Sequence, residues 1–190
     1  MCDSHLGRKR FLSGAAALVI GSAVPARVLA KAARRSSAAR ELWLLNAQTG
    51  QSLRAYLTMD GTNLWRGNSQ YAGYDHICWL LRDLHENAES GISVQLLEAT
   101  WETQQVLYAW GYEQPIAITS GFRTLETNSE VGGARYSYHM SGNAIDFFVP
   151  GTPLLRVWQA AGSRSYTGGM GWYTDSHIHI DTGPRRYWVG

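Results

Sequence analysis

The sequence predicts an α+β fold, a small antiparallel sheet flanked by helices. Three observations carry this expectation. Segments with period-2 alternation come in pairs about turn residues: Glu41–Asn46 with Gln51–Leu57 around Gly50, and Gly168–Trp172 with His177–Asp181. Two stretches of helical spacing lie between the first pair and the remainder. The later strands are short and interleaved with one helix, which favours an antiparallel sheet over a strictly alternating parallel one. The chain has no internal repeats, which excludes a solenoid.

Each element has a local reason. Asp60-Gly61 marks a turn after the first hairpin. From Tyr74 to Asn87, Ile77, Leu80, Leu81 and Leu84 recur at helical spacing. Ser93 to Trp110 reads as a second helix, with Ser93 as N-cap, Gly111 after the last turn, and Leu96, Leu97, Thr100, Trp101 and Leu107 on the buried face. Ile116–Thr119 is a short strand after Pro115. Gly121–Tyr138 is a polar loop with one helical turn near Asn128. Ala144–Val149 is a strand, and Pro153–Ala161 is a helix with Thr152 as its N-cap.

The 190 residues suit one domain with a short appendage. A hydrophobic fraction of 45% against 17% charged excludes disorder of the whole chain. The net charge of +2 divides unevenly. Residues 1–40 hold eight basic residues and one acid, whereas residues 41–190 hold nine arginines and fourteen acids. The body is therefore acidic and lacks the electrostatic footprint of a nucleic-acid binder. Arg8-Lys9-Arg10, the apolar stretch from Phe11 to Pro25 and Val28-Leu29-Ala30 follow the order of a secretory signal. Arg8 to Leu12 resembles a twin-arginine signal with Lys9 in the second arginine position. The apolar stretch is shorter than the roughly 20 residues that span a bilayer. The expected organisation is an export signal over 1–30, a polar tether over 31–40 and a folded domain over 41–190, with an uncleaved membrane anchor as the competing reading. Cys2 falls in the signal, so Cys78 is left without an internal partner and reads as a core thiol rather than a nucleophile.

The chemistry lies beyond residue 119. Asp146 interrupts the apolar run from Ala144 to Val149. A buried carboxylate without a counter-charge costs several kcal/mol, so an arginine or a metal must compensate it. Alternation places Ala144, Asp146 and Phe148 on one face, and Gly142 lets the chain turn so that His139 and Asp146 converge. In His177-Ile178-His179-Ile180-Asp181 the same period puts His177, His179 and Asp181 on one strand face. Two imidazoles and a carboxylate from separate segments suit a tetrahedral Zn²⁺ with its fourth position left to water, a site type that activates water near neutral pH. The same donors could also hold Fe(II), with export favouring zinc.

On these residues the chain resembles the zinc D-Ala-D-Ala carboxypeptidase and murein endopeptidase family, in particular its exported murein endopeptidase K type. The pattern S-x-H-x-x-G-x-A-x-D matches Ser137, His139, Gly142, Ala144 and Asp146. S-G-[YF]-R-[ST] matches Ser120 to Thr124, and Gly-Gly-x-Gly-x-Tyr matches Gly168 to Tyr173. H-[IL]-D-[ST]-G-P matches His179 to Pro184, followed by Tyr187 and Trp188. The resemblance covers essentially all of residues 41–190. It implies a Hedgehog/DD-peptidase-like fold, Zn²⁺ as cofactor and His139, Asp146 and His179 as its ligands. It further implies Arg123 as the cation that binds a substrate carboxylate or stabilises the tetrahedral intermediate, Ser137 as a substrate contact and Asp181 as the group orienting a ligand histidine. One departure stands out. Many relatives place an acid three residues before the last zinc histidine, where this chain has Ser176. The general acid/base or oxyanion-stabilising role then goes to His177, with Asp175 as the alternative.

The resemblance implies a zinc peptidase acting on peptidoglycan peptides; the leader points to the periplasm by the twin-arginine route, with no stable membrane span once the signal is removed, and a monomer is expected. The resemblance leans toward endopeptidase cleavage of crosslinks, the diaminopimelate–diaminopimelate kind among them. Removal of a terminal D-Ala, or a non-catalytic murein-binding domain stabilised by metal, are the alternatives.

Overall fold

The computed structural model describes residues 40–57, 65–66, 73–163, 167–174 and 176–190. The export signal, the tether up to residue 39, the Asp60-Gly61 turn and Asp175 lie outside the described residues. Arg40, read as tether, instead opens the first strand, where its guanidinium lies 3.4 Å from Glu98.

The alternation of β1 (Arg40–Asn46) turns Leu42, Leu44 and Asn46 inward. It pairs antiparallel with β2 (Ser52–Leu57), as the period-2 pattern predicts. Asn46 closes the connecting turn and also ties it to the next layer. Its Oδ1 accepts the amides of Gln48 and Thr49 at 3.0 Å, and its Nδ2 donates to the Leu80 carbonyl at 2.9 Å. A two-residue strand, β3 (Trp65–Arg66), extends this edge and was not anticipated.

The first helix, α1 (Tyr74–Leu80), is shorter than the helical spacing to Asn87 suggests. The reason is Asp83, which is buried. Its carboxylate accepts the amides of His85 at 2.9 Å and Glu86 at 3.4 Å, the local bonding by which Asp competes with a continuing helix. It also accepts the Thr124 amide at 2.8 Å, so the end of α1 is tied to the segment after β4 (Ile116–Ser120). The second helix, α2 (Val94–Ala109), buries Leu96, Leu97, Thr100, Trp101 and Leu107 as expected. Ser93 stands at the N-cap, but its hydroxyl makes no capping bond. Its amide donates to the Gly142 carbonyl at 2.9 Å instead. Gln104 fastens α2 to β1 through both ends of its amide, which bond the backbone N–H and C=O of Trp43 at 3.0 and 2.8 Å.

In the polar loop, the single turn expected near Asn128 is α3 (Leu125–Glu130), capped by Thr124 Oγ1 on the Thr127 amide. β5 (Ala144–Phe148) follows. The helix after it is α4 (Leu154–Gly162), and its N-cap position is Pro153, not Thr152. Proline has no side-chain acceptor, so no side-chain cap is made there. β6 (Gly169–Tyr173) and β7 (His177–Asp181) form the predicted hairpin, and β8 (Arg186–Val189) is an additional strand.

These strands make one sheet in the order β3-β2-β1-β4-β5-β7-β6-β8. It is mixed, not antiparallel as the sequence reading had it: β1 runs parallel to β4, and β6 parallel to β8. The first parallel pair follows from a crossover through α1 and α2, which returns the chain to the other edge of β1 in the same direction. The second arises because β8 turns back from β7 but docks beyond β6. One face of the sheet is apolar: Leu42, Leu44, Ile145, Phe147, Ile178 and Ile180 pack with Leu96, Leu97 and Val157 of α2 and α4, and Cys78 joins this core. The other face carries buried polar groups, His139, Asp146, His179 and Asp181. Among the described residues no helix is long and apolar enough to cross a membrane.

Asp83 gives a testable stability term. Burial pushes its carboxyl up, but the amide bonds led by that of Thr124 win and hold it below the ordinary carboxylate range. A depressed folded value means the stabilisation is present above the unfolded pKa of about 3.9 and is lost as pH falls through the folded value. Asp83→Asn should lower unfolding free energy by about 1.5–3 kcal/mol at pH 7. In urea titrations the gap to the wild type should close as pH drops below about 4.

Candidate metal centre

Three segments converge on the polar face, and each has a local cause. Ser137 Oγ accepts the His139 amide at 3.3 Å and starts a 3₁₀ turn, Tyr138–Ser141. Gly142 ends it at φ 66°. A Cβ at this position would meet the Gly91 carbonyl, so glycine is required both by its dihedral and by the close approach of the 91–93 backbone. The turn hands the chain to β5, whose register sets Asp146 opposite Ser120 of β4 on one side and opposite His179 of β7 on the other. The His139-to-Asp146 return is the one that the glycine spacing predicts.

The donor atoms meet closely. His139 Nε2 lies 3.1 Å from His179 Nδ1 and 3.3 Å from Asp146 Oδ1, and His179 Nδ1 lies 2.8 Å from the same oxygen. The other ring nitrogens are taken. His139 Nδ1 bonds the Gly121 carbonyl at 2.7 Å, and His179 Nε2 bonds Asp181 Oδ2 at 3.0 Å. Each imidazole is therefore oriented from behind and presents its second nitrogen inward. Ligands at about 2.0–2.1 Å from a tetrahedral ion stand about 3.3 Å apart, close to the spacings found. These three buried side chains could hold a metal ion, with donor atoms all within 4.8 Å of one another.

Charge is compensated on two levels. Arg123 Nη2 donates to Asp146 Oδ2 at 2.5 Å, while its Nε donates to Ser120 Oγ at 2.7 Å. Asp181 Oδ1 accepts the amides of Gly169 and Gly183 at 3.0 and 2.8 Å, and Arg186 clamps both oxygens at 3.0 and 2.7 Å. Burial pushes the Asp146 carboxyl up, but His139 and then His179 overcome this and hold it well below the usual range. At Asp181, burial is likewise outweighed by the bonds from His179, Arg186 and the two amides, which bring its pKa down to about 2. Burial alone would lower His179, yet the two carboxylates flanking it raise it.

The sequence-predicted residues divide as follows. His139, Asp146 and His179 come together, with Asp181 directly behind His179. Arg123 reaches the same carboxylate. Ser137 serves locally as the cap of the 3₁₀ turn. His177 is half-buried on the same strand face as His179, and burial chiefly lowers its pKa. Asp175 lies outside the described residues. Sequence reasoning gave no role to Ser120, Arg186 or Trp188, although Ser120 and Trp188 stood in the matched motifs. A signal for Arg186 and Trp188 was present: β6 reads Gly-Met-Gly, and β8 alternates Arg-Tyr-Trp. A Cβ on Gly169 would strike Asp181 and Arg186, and one on Gly171 would strike the Trp188 indole. The two missing side chains let β8 reach across β6 to the histidine strand.

A family model described as peptidoglycan L,D-endopeptidase MepK matches residues 34–188. The chain is 35% identical over 155 residues to the peptidoglycan L,D-endopeptidase MepK of Escherichia coli K12, covering 78% of this chain and 80% of that protein. It is 36% identical over 118 residues to the probable peptidoglycan L,D-endopeptidase MepK of Haemophilus influenzae, covering 59% and 62%. It is 35% identical over 95 residues to the zinc D-Ala-D-Ala carboxypeptidase of Streptomyces albus G, covering 48% and 37%.

Equilibrium dialysis against zinc should give one ion per chain in the wild type and none in His139→Ala or His179→Ala. Asp181→Asn should keep the site but weaken it by about 10–100-fold, the usual consequence of losing the group that orients a ligand histidine.

Proposed function

The chain belongs to the family described as peptidoglycan L,D-endopeptidase MepK, and from that premise we propose that it is an endopeptidase cleaving peptide crosslinks between diaminopimelate residues of murein. It is a zinc metallopeptidase acting on peptidoglycan. The observation that carries the reading is the meeting of His139 Nε2, Asp146 and His179 Nδ1 within 4.8 Å, with Asp181 behind. The donor set, two neutral nitrogens and one carboxylate oxygen at tetrahedral spacing, fits Zn²⁺, on a DD-peptidase-like fold. Zinc, when bound, supplies a Lewis acid that activates water and polarises the scissile carbonyl.

The remaining work falls to side chains. Arg123 is fixed by Ser120 and Asp146, which leaves Nη1 without a partner among the described residues. A pre-oriented cation of this kind stabilises negative charge developing on the carbonyl oxygen, or seats a substrate carboxylate. Ser137, next to the turn that carries His139, offers a hydroxyl to the substrate backbone. His177 takes the proton from the attacking water and delivers it to the departing amine. Its neutral form is the one that accepts, and burial favours that form. Export through the leader, by the twin-arginine route, brings a monomeric enzyme to the periplasm where this substrate lies.

Digestion of purified sacculi, followed by chromatography and mass spectrometry, tests the assignment. The wild type should remove diaminopimelate–diaminopimelate dimers, and His139→Ala should leave them intact. Release of terminal D-Ala alone would reassign the enzyme as a carboxypeptidase, and zinc binding without any new product would remove the catalytic role. Arg123→Lys, which keeps the charge but not the fork, should lower kcat by about 10²–10³-fold, the range seen on losing one stabilising donor.

A further inference from the structure

His177 is the one proposed catalytic group that touches no ligand, so something else must fix its ring. Two neighbours do so, and a third holds one of them. Tyr173, its directly paired residue across the β6–β7 hairpin, lies flat against it, with ring centroids 4.5 Å apart and planes 16° from parallel. Ser176 Oγ sits 2.7 Å from Nδ1. Tyr173 is itself held, because its hydroxyl accepts the Trp188 Nε1–H at 3.3 Å. Trp188 lies over Gly171, where a Cβ would collide with its indole, and its ring centroid stands 5.0 Å from that of His179. One aromatic chain thus links the last strand, the histidine that could ligate metal and the histidine assigned to proton transfer.

We infer that Tyr173, anchored by Trp188, is a positioning residue that sets the plane of His177, and that Ser176 occupies Nδ1 so that Nε2 is the ring atom presented to substrate. This rests on the role given to His177 above. It also accounts for Ser176 at the place where many relatives carry an acid: its hydroxyl oxygen accepts from Nδ1–H, the tautomer that leaves Nε2 bare to take a proton. The ring therefore keeps the same partner before and after it takes a proton, without a second carboxylate drawing it aside. Nε2 has no partner among the described residues. A flat stack is the contact suited to this task, since it fixes the plane of a ring while leaving its edge atoms free.

The test uses the zinc-loaded full chain and crosslinked muropeptides from sacculi. Misplacing a catalytic group by about 1 Å costs on the order of 10²-fold. Tyr173→Leu should therefore lower kcat by about tenfold or more, with KM changed less than about threefold and zinc content unchanged. Tyr173→Phe, which keeps the stack, should restore kcat to within about threefold of the wild type. Proton NMR gives a readout independent of turnover. The His177 ring protons should be shifted upfield by the tyrosine ring in the wild type and in Tyr173→Phe, and should move downfield in Tyr173→Leu. If Tyr173→Leu folds poorly, Tyr173→Ile replaces it: a β-branched residue suits a strand, the ring is still lost, and kcat should fall by about tenfold or more with the same His177 signals moved downfield. Wild-type kcat in Tyr173→Leu alongside a severe loss in His177→Ala overturns the positioning role while sparing that of His177. An equal loss from Tyr173→Leu in the His177→Ala background overturns it too. Wild-type kcat in His177→Ala removes the role of His177 itself and the inference with it.

Discussion

The constraint on which the rest depends is the Asp146 carboxylate, 5% exposed in a strand whose neighbours Ile145 and Phe147 are core. An ionised group there is tolerated only with counter-charges in direct contact. The fold supplies one, the Arg123 guanidinium, together with ring and hydroxyl partners from both flanking strands and from one loop. β4 brings Ser120, which holds Arg123 by its Nε, and β7 brings His179. The 3₁₀ turn brings His139, already oriented by the Gly121 carbonyl. Removing any of these would leave a buried charge short of a partner, which is more damaging than removing the whole arrangement. That asymmetry explains why so many backbone features upstream, from the Gly142 turn to the Asp83 tether on Thr124, serve one carboxylate.

The second dependency is steric. Arg186 and Trp188 belong to the edge strand β8, yet they act on β7, with β6 between them. Only a strand lacking side chains on that face lets them pass. Gly169 and Gly171 provide the gap, while Met170 between them points to the core. The glycines weaken β6 as a strand, since each lacks a side chain to pack. Trp188 and Arg186 fill the space from the outside, the guanidinium lying 5.1 and 5.2 Å from the rings of Tyr138 and Trp188. The edge strand thus serves as structural cover and as support for the site.

Much of this was legible in the sequence, for reasons that differ by residue. Asp146 was readable because a carboxylate inside an apolar run demands an explanation. His179 and Asp181 were readable because period 2 puts them on one face. The hairpins followed from alternation, which is local. Sheet direction was not legible, because the parallel pairing of β1 with β4 is set by a crossover of some seventy residues. The length of α1 was misread because Leu84 continues the helical spacing while Asp83, one residue earlier, diverts the amides into a turn. Arg186 had no signal of its own in the sequence. Its role emerges only when the glycines of β6 are read together with a strand fifteen or more residues away, a relation no window along the chain contains.

The charges of the site can be set against those of the body. The folded region carries fourteen acids and nine arginines, so a peptide bearing free carboxylates approaches an acidic protein. Within the site the balance differs. Asp146 and Asp181 are each matched by a guanidinium, Arg123 and Arg186, and the two histidines are held as hydrogen-bonded rings. The protein's own formal charges therefore nearly cancel there. A divalent ion held by these residues would keep most of its charge uncancelled, in a setting where burial limits screening by water. A carboxylate ligand with no arginine would neutralise half of that charge. Pairing Asp146 with Arg123 occupies Oδ2 and leaves Oδ1 as the oxygen that would serve a metal, so a bound ion would remain a Lewis acid inside an acidic protein.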